Sequence, residues 1–297
     1  FMTVPVGLLG MLGLVAGSIL AIEFLDQRVK STADLASMSR VKIMGSVPMA
    51  GEDPAATGKF ETVFRDSDQS VIAESFRQIR TGLLKALDEG GHRSCLFVSG
   101  MPGAGSTSMV TNLGFACAGI ERRVLLIDAN FRRPSLHRHF GVDEGPGLGD
   151  VLIGEADLDD VIREVAPNLS LLTAGTPTHR VFERLNTQPM TSLLNQMASA
   201  YDLTFLDTAP AVVAGDAKAL AQRCDSLVLV ARAMVEKRGM VSRINNEFSD
   251  SPATKLGIIL NGVRSAAGGY MKRNIRTSTA YHSSRGKGGS AAPAGSG

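Results

Sequence analysis

The stretch SGMPGAGSTS at residues 99–108 decides the fold, and it directly follows the apolar run CLFV at 95–98. In the general phosphate-binding loop, G-x-x-x-x-G-K-[ST], backbone N–H groups surround phosphate oxygens and the final hydroxyl binds Mg²⁺. Gly100 and Gly105 keep the spacing of its glycines, and Thr107 holds the hydroxyl position. The stretch therefore predicts a buried strand followed by a phosphate-binding loop at the start of a helix.

The lysine of the general pattern is missing from this loop. Ser106 stands at the position from which the lysine reaches the β- and γ-phosphates. The loop therefore predicts a nucleotide fold that departs from an ordinary enzyme. The residues expected around the phosphates are Gly100, Met101, Pro102, Gly103, Ala104, Gly105, Ser106, Thr107 and Ser108.

Length and composition restrict the class of protein. A chain of 297 residues, 44% of them hydrophobic, is long enough for one sizeable α/β core with appendages. A net charge of +2 is too small to argue for a nucleic-acid partner. The cysteines lie in apolar runs without metal-ligand spacing, which indicates buried thiols in a reducing compartment: Cys95, Cys117 and Cys224.

Residues 1–25 predict a transmembrane helix. The stretch 1–22 has no charged side chain, and Phe24 and Leu25 lengthen the apolar run beyond Glu23. A buried helix of a soluble core is the alternative. Basic residues after the run place the following segment in the cytoplasm, and the opening phenylalanine leads us to expect that upstream sequence has been cut away.

The segments on either side of the expected core differ from it in composition. Residues 26–69 are mixed and polar and predict a juxtamembrane linker with a loop at 51–60, although VKIMGSV at 41–47 fits a short strand. Residues 265–297 are rich in Gly, Ser and basic residues and predict a disordered tail. An anionic membrane surface is the alternative partner of that tail.

Residues 70–264 predict a P-loop domain. Apolar runs alternate with helical segments, which indicates a parallel sheet covered on both faces. The fold class predicted is α/β, a P-loop NTPase with a mostly parallel central sheet covered by helices and preceded by a transmembrane helix. Besides 95–98, the strands are expected at 124–127, 169–172, 203–206, 226–230 and 256–260.

Acidic residues close two of these strands. Asp128 ends VLLID and Asp207 ends LTFLD. Because ligands collect at the carboxyl ends of parallel strands, both carboxylates, with the Thr107 hydroxyl, are candidates to hold Mg²⁺ or to accept a proton. The alternative for each aspartate alone is that it caps the next turn or helix.

An amphipathic helix is predicted at 70–87. Apolar residues recur every three to four positions and mark a buried face: Ile72, Phe76, Ile79, Leu83 and Leu87. Glu74 and Arg77 fall on the opposite side and Arg80 on its flank. Taken alone, these side chains form a solvated face with local ion pairs.

Several motifs in one order resemble a bacterial tyrosine kinase domain of the kind fused to polysaccharide co-polymerases. The resemblance covers nearly the whole chain: EFLDQRVKSTADL and GSVP resemble the exit from the membrane, and ESFRQIRTGL resembles a ring-forming E-x-x-R-x-x-R helix. SGMPGAGSTS, VLLIDANFRRPSLHRHFG and YDLTFLDTAP resemble the Walker A, second acidic and Walker B regions. GLGDVLIGEADLDDVI with TAGTP resembles the middle of the domain, and IILNGV its final strand.

The resemblance implies roles for particular residues. Glu74, Arg77 and Arg80 would lie at a subunit boundary, and Asn261 would contact the purine, with a turn-forming role before Gly262 as its alternative. Asp128 and Asp207 would be catalytic. The candidate phosphoacceptors, with incidental tail residues as the alternative, are Tyr270 and Tyr281.

The chain also departs from the family pattern where the chemistry lies. Ser106 replaces the lysine, Asn130 replaces the second acidic residue of D-x-D-x-R, and THRVFERL replaces Asn-Pro-x-Glu-Leu after TAGTP. Replacement of the missing charge by Arg132, or by Arg77 or Arg80 of a neighbour, is an open alternative.

The function predicted is a regulatory domain that binds ATP or ADP with Mg²⁺, forms homo-oligomeric rings and has weak or lost kinase activity. Its expected partners are other copies of the chain, the polysaccharide polymerase and export machinery, and the membrane, with no nucleic acid. Its expected location is the bacterial inner membrane, with the domain in the cytoplasm. The alternatives are an active tyrosine autokinase and a ParA-type partitioning ATPase, the latter disfavoured by the predicted span and by the absence of that family's extra lysine.

Overall fold

The computed structural model of the chain describes residues 11–18, 25–38, 42–176 and 179–264. At its centre is an eight-stranded sheet in the order β1-β8-β7-β2-β6-β3-β5-β4. Neighbouring strands are parallel except for β4, which is antiparallel to β5. The strands are β1 (Ile43–Pro48), β2 (Ser94–Ser99), β3 (Val124–Asp128), β4 (Ile162–Ala166), β5 (Leu169–Leu172), β6 (Leu203–Asp207), β7 (Ser226–Arg232) and β8 (Thr254–Val263).

Helices connect the strands and cover both faces of the sheet. Short 3₁₀ helices span Ala50–Glu52 and Phe60–Thr62. The α-helices are α1 (Thr32–Ala36), α2 (Val63–Asp66), α3 (Val71–Gly90), α4 (Ser106–Ala118), α5 (Leu136–Phe140), α6 (Leu148–Ile153), α7 (Leu158–Val161), α8 (His179–Arg184), α9 (Gln188–Ala200), α10 (Asp216–Ala221) and α11 (Arg238–Glu247).

The central strand β2 shows why the apolar runs are continuous. Leu96 and Val98 point into the hydrophobic cluster on one face of the sheet, and Cys95 and Phe97 into the cluster on the other. Phe97 packs edge-on against Phe205 of β6, with ring centroids 5.4 Å apart. Because both faces are buried, successive residues are all apolar instead of alternating with polar ones.

The predicted fold class is confirmed, with a mostly parallel sheet between helices. The strands expected between 95 and 260 all occur, and the strand expected at 41–47 is β1. Strand β4, with the sequence IREVA, was not predicted. Its residues are only partly buried because it is the antiparallel edge of the sheet.

Helix α3 confirms the predicted buried face. Ile72, Phe76, Ile79, Leu83 and Leu87 are each at most 1% exposed. Ser70 caps the N-terminus by accepting a hydrogen bond from the Ala73 N–H at 3.0 Å. Gly91 ends the helix with φ +64°, a left-handed conformation that glycine adopts at little cost.

The segment expected to be a linker packs against the domain over much of its length. Strand β1 pairs in parallel with β8, and Val47 is fully buried. The Asp53 carboxylate accepts a hydrogen bond from the Ile72 N–H at the start of α3, at 3.0 Å. Strand β1 therefore completes one edge of the sheet, a long-range pairing that the polar composition of 42–66 conceals.

The predicted transmembrane helix lies mostly outside the described residues, which include 11–18 in helical conformation. Among the helices that the structure describes, none combines the length and hydropathy that a membrane crossing requires. The expected tail, 265–297, also lies outside the described residues, together with Tyr270 and Tyr281.

Candidate nucleotide-binding site

The phosphate-binding loop joins the end of β2 to the start of α4. Gly103 and Gly105 have φ of +78° and +94°, which place them in the conformational region that favours glycine. A Cβ on Gly105 would lie 2.3 Å from the Asn261 amide nitrogen. The loop therefore needs glycine there for both backbone conformation and space, and its turn leads into the free N–H groups of the first turn of α4.

The side chain of Asn261, in β8, stabilises the loop through a hydrogen bond. Its side-chain amide donates to the Ala104 carbonyl at 2.8 Å, and Asn261 is fully buried. Its Oδ1 is buried without a hydrogen-bond partner among the described residues. The observed role of Asn261 is thus to brace the loop, and its contact with a purine remains a prediction.

The two candidate catalytic aspartates meet at the carboxyl ends of adjacent strands. Asp128 of β3 and Asp207 of β6 are paired in the strand register, and both are fully buried. Asp207 Oδ2 accepts a hydrogen bond from Thr107 Oγ1 at 2.6 Å. The structure therefore brings the three candidate magnesium ligands to one edge of the sheet.

The oxygens of Asp128 are already engaged by backbone N–H groups. Oδ1 accepts from Asn130 at 3.1 Å, and Oδ2 accepts from Ser135 and Leu136, each at 2.9 Å. Asn130, at the second acidic position, accepts in turn from the Arg133 N–H at 3.2 Å. Asp128 and Asn130 therefore order the loop after β3, which is the capping alternative considered for Asp128.

Asp207 has one carboxylate oxygen free to bind a ligand. Its Oδ1 is buried and has no hydrogen-bond partner among the described residues. Burial, followed by the nearby charge of Asp128, raises the pKa of Asp207 to about 7, whereas the hydroxyls of Thr107 and Ser106 lower it. Burial also raises the pKa of Asp128, against its backbone hydrogen bonds.

These donors fit a magnesium ion. Mg²⁺ prefers hard oxygen ligands and is usually bound by one or two carboxylates, with water and substrate phosphates completing its octahedron. Thr107 Oγ1 and the unpartnered Asp207 Oδ1 are such donors. No larger group of His, Cys, Asp and Glu suitable for a metal occurs in the described parts of the chain.

The arginines considered as substitutes for the missing lysine make other contacts within their own chain. Arg132 pairs with Asp216 at 3.2 Å, and its guanidinium lies 4.9 Å from the centre of the Phe182 ring. Arg80 donates to the Ala116 carbonyl of its own chain at 2.9 Å. Ser106 itself is buried and supplies a hydroxyl in place of a charge.

The candidate subunit-boundary residues also bond within the chain. Arg77 pairs with Glu74 at 3.1 Å and donates to the Asp68 carbonyl at 2.6 Å. The Arg77 guanidinium lies 5.5 Å from the Phe64 ring centre. The local pairing considered for this helix face is therefore present, and ring formation by these residues remains a prediction.

A cavity of about 410 Å³ opens on the other side of the loop from the aspartates. It is lined on one side by Gly103, Gly105 and Ser108. The remaining lining is supplied by the ends of strands and by the 50–61 region: Pro48, Met49, Ala50, Gly51, Phe60, Glu61, Arg232, Asn261 and Gly262.

Arg232 and Glu236 are site residues that sequence reasoning missed. Arg232 ends β7, two residues beyond the strand predicted at 226–230, and its N–H donates to Glu236 Oε1 at 3.0 Å. Glu236 is 3% exposed, and burial raises the pKa of its carboxyl to about 7. Its Oε2 lies 3.1 Å from where a Cβ on Gly100 would stand. An arginine directly after SLVLVA was the available signal for Arg232.

Comparison with known proteins agrees with this geometry. The family model described as "Cellulose biosynthesis protein BcsQ" matches residues 94–247, just over half of the 297-residue chain. The putative tyrosine-protein kinase EpsB of Ralstonia solanacearum is 29% identical over 268 residues, covering 86% of this chain and 36% of EpsB. This chain therefore spans about a third of that relative's length.

Solved structures with somewhat lower sequence identity share the fold of this chain. The kinase domain of the Escherichia coli tyrosine kinase ETK is 26% identical, with a TM-score of 0.70, over 77% of this chain and 92% of that domain. MinD of Pyrococcus horikoshii, solved with Mg-ADP, is 25% identical, with a TM-score of 0.50, over 57% and 70% of the two chains. The chain belongs to the BcsQ family that the matching model describes, and its domain is of the bacterial tyrosine kinase type.

Proposed function

We propose that the chain is the nucleotide-binding, ring-forming regulatory part of a membrane polysaccharide co-polymerase, with weak or absent kinase activity. One observation carries the proposal. The loop at 100–107 keeps its glycine turns and the contact between Thr107 and Asp207, yet has Ser106 where an ammonium group is needed. The ligand proposed is ADP or ATP with Mg²⁺.

Binding survives the loss of the lysine because the backbone supplies most of the phosphate site. The N-terminal amides of the 13-residue helix α4 face the loop, and such amides bind phosphate without a side chain. Losing one charge-assisted contact costs about 1.5–3 kcal/mol. The expected weakening is about ten- to a hundredfold, which leaves binding measurable.

Turnover is more sensitive to the same loss. Phosphoryl transfer depends on positioning and on positive charge at the transferred group, and a single cation there is worth about 10³–10⁵ in rate. The Ser106 hydroxyl is neutral, and Arg132 is held by Asp216. We therefore expect a loss of at least about 10³ in transfer rate.

Thr107 and Asp207 would hold the magnesium ion. When bound, Mg²⁺ neutralises phosphate charge and orients the phosphate oxygens. Asp207 offers the unpartnered Oδ1 for this purpose, whereas Asp128 orders the loop that encloses the site. The aspartates thus have separate duties in the proposal, ligation for Asp207 and loop positioning for Asp128.

The assembly and location in the proposal come from the resemblance of the chain to bacterial tyrosine kinase domains fused to polysaccharide co-polymerases. EpsB is named a putative tyrosine-protein kinase, and the comparable domain of ETK is a kinase domain. We propose a membrane helix at 1–25, a juxtamembrane segment that starts at 26 and packs on the domain from residue 42 onward, the nucleotide motifs within 70–264 and a basic tail at 265–297. In this arrangement the domain is cytoplasmic at the inner membrane and acts on the polymerase and export machinery.

A working tyrosine autokinase is the second candidate, and the names of the relatives favour it. It would transfer phosphate from ATP to Tyr270 and Tyr281 of a neighbouring copy. The two candidates share the fold, the nucleotide and the ring. They differ in whether phosphotyrosine forms without the lysine.

Incubation with Mg-ATP, followed by mass spectrometry of the tyrosines, separates the candidates. We expect no more than trace phosphotyrosine in the natural chain, a clear signal in Ser106→Lys, and its loss in Ser106→Lys combined with Asp207→Asn. Ser199→Lys is the matched control, because Ser199 is exposed near the end of α9, which precedes β6 and so lies at the amino-terminal end of the strands, away from the loop. Phosphorylation of the natural chain as fast as that of Ser106→Lys would refute the regulatory proposal in favour of the kinase.

The ring is tested separately. Replacing Arg77 and Arg80 together by alanine is expected to shift the chain towards monomers in analytical ultracentrifugation. Lys85→Ala, on the same helix α3 and 77% exposed at the side chain, is the control. An unchanged distribution of oligomers in the double variant would remove this helix from the proposed boundary.

A further inference from the structure

The strand order separates the two ends of a bound nucleotide. Strand β2, which carries the loop, lies between β6 and β7. Strands β6 and β3 end at Asp207 and Asp128, so the metal and the terminal phosphates belong on that side. Strands β7, β8 and β1 lie on the opposite side, where the nucleoside would therefore be placed.

The cavity on that opposite side has the size that a nucleoside needs. Its volume is about 410 Å³, within the usual range of small-molecule sites. The loop residues Gly103, Gly105 and Ser108 form one wall, so a phosphate chain on the loop would lead directly into it. Strand β7 contributes Arg232 to the wall on the far side.

The guanidinium of Arg232 lies close to Gly262 at the end of β8. Its Nε and Cζ lie 3.0 and 3.1 Å from where a Cβ on Gly262 would stand, and Gly262 has φ +71°. The backbone N–H of Arg232 donates to the buried Glu236 carboxylate at 3.0 Å, which fixes the main chain at this position. Glycine at 262 therefore leaves room for the guanidinium at the edge of the cavity.

The guanidinium of Arg232 differs from those of Arg132 and Arg77, each of which pairs with a carboxylate. Arg132 pairs with Asp216 and Arg77 with Glu74. Within the described ranges, Arg232 makes no ion pair with a carboxylate. Its charge is therefore available to a ligand in the cavity.

We propose that Arg232 binds the nucleoside end of the nucleotide, with its guanidinium packed on a purine base, an inference that rests on the proposed nucleotide-binding function. A guanidinium attracts the face of an aromatic ring, and a purine offers a larger face than a pyrimidine. Because Arg232 lies across the loop from the aspartates, it strengthens binding without stabilising charge at the transferred phosphate. The chain would thus hold nucleotide firmly while transferring phosphate poorly.

Calorimetric titration of the full chain with three magnesium-loaded ligands tests the proposal: ADP, CDP and inorganic tripolyphosphate. Arg232→Ala is expected to weaken ADP binding at least tenfold and to leave tripolyphosphate within twofold. The natural chain should prefer ADP to CDP by at least tenfold, and Arg232→Ala should reduce that preference. Arg232→Lys should restore ADP binding only in part, because lysine has the charge but lacks the planar group.

Arg122→Ala is the matched control, because Arg122 pairs with Asp88 and precedes β3, at the amino-terminal end of the strands and away from the loop. It should leave the affinity for all three ligands unchanged. Equal weakening of ADP and tripolyphosphate by Arg232→Ala would overturn the inference, as would unchanged ADP binding or equal affinity for ADP and CDP in the natural chain. In each of those results nucleotide binding itself survives, whereas a natural chain that takes up none of the ligands would overturn the proposed function as well.

Discussion

Replacing Glu236 by glutamine is expected to abolish a pH-dependent loss of stability. The Glu236 carboxyl is almost fully buried, and burial raises its pKa from 4.5 to about 7. The folded protein therefore keeps this proton at pH values where the unfolded chain has released it. Stability falls as the pH rises from about 4.5 to 7, and the loss is complete above the folded-state pKa.

The size of this effect follows from the shift in pKa. One pKa unit corresponds to about 1.4 kcal/mol, so the shift of Glu236 costs up to about 3 kcal/mol of unfolding free energy at pH 8. Glutamine keeps an oxygen that can accept the hydrogen bond from the backbone N–H of Arg232, and it has no charge to bury. Glu236→Gln should therefore match the natural chain near pH 4 and exceed its stability increasingly up to pH 8.

Urea unfolding at a series of pH values measures the difference. The chain has no tryptophan, so circular dichroism is a suitable probe. Titration of Asp207 also lowers the stability as the pH rises, but it does so in both the natural chain and Glu236→Gln. Its contribution therefore cancels in the difference between their unfolding free energies. Glu89→Gln, the same substitution at an exposed position of α3, is the control. Parallel profiles for Glu236→Gln and the natural chain would refute the reasoning.

Further predictions concern the loop and the core. Gly105→Ala should abolish Mg-ADP binding in calorimetry, because the added Cβ would meet Asn261 at 2.3 Å in a left-handed backbone conformation; retained affinity would show that the loop adapts. Asn261→Ala leaves the Ala104 carbonyl without its donor and should cost about 1–3 kcal/mol in chemical unfolding, whereas an unchanged midpoint would mean that water replaces the amide. Phe97→Ala should cost about 3–5 kcal/mol in the same assay, because Phe97 is fully buried against Phe205; a loss under 1 kcal/mol would contradict the packing described.

The parts of the fold that were predictable are those that local patterns encode. Continuous apolar runs identified the buried parallel strands, since both faces of the sheet are covered. The three- to four-residue spacing from Ile72 to Leu87 identified the buried face of α3. In each case the neighbours in sequence determine which side chains are buried.

The parts that were missed depend on contacts distant in sequence. The polar segment at 42–66 belongs to the domain because β1 pairs with β8, about 200 residues later. The antiparallel edge strand β4 is only partly buried and has no continuous apolar run. The amino-acid composition of these segments therefore predicts neither strand pairing.

The candidate site likewise contains residues that local sequence patterns predicted and features that depend on contacts distant in sequence. The loop motif identified Gly105 and Thr107, and the strand ends identified both aspartates. The engagement of Asp128 by backbone N–H groups and the burial of Glu236 appear only when the chain is folded. Arg232 became a candidate because three strand ends and the loop together enclose the cavity.

The central claim is that backbone amides and Thr107 hold a nucleotide although Ser106 has replaced the lysine. Titration of Mg-ADP into the folded natural chain, followed by heat of binding, tests this claim most directly. We predict a saturable heat with one ligand per chain and a dissociation constant below the millimolar range. Absence of any binding heat at millimolar Mg-ADP, with circular dichroism showing a folded chain, would contradict it.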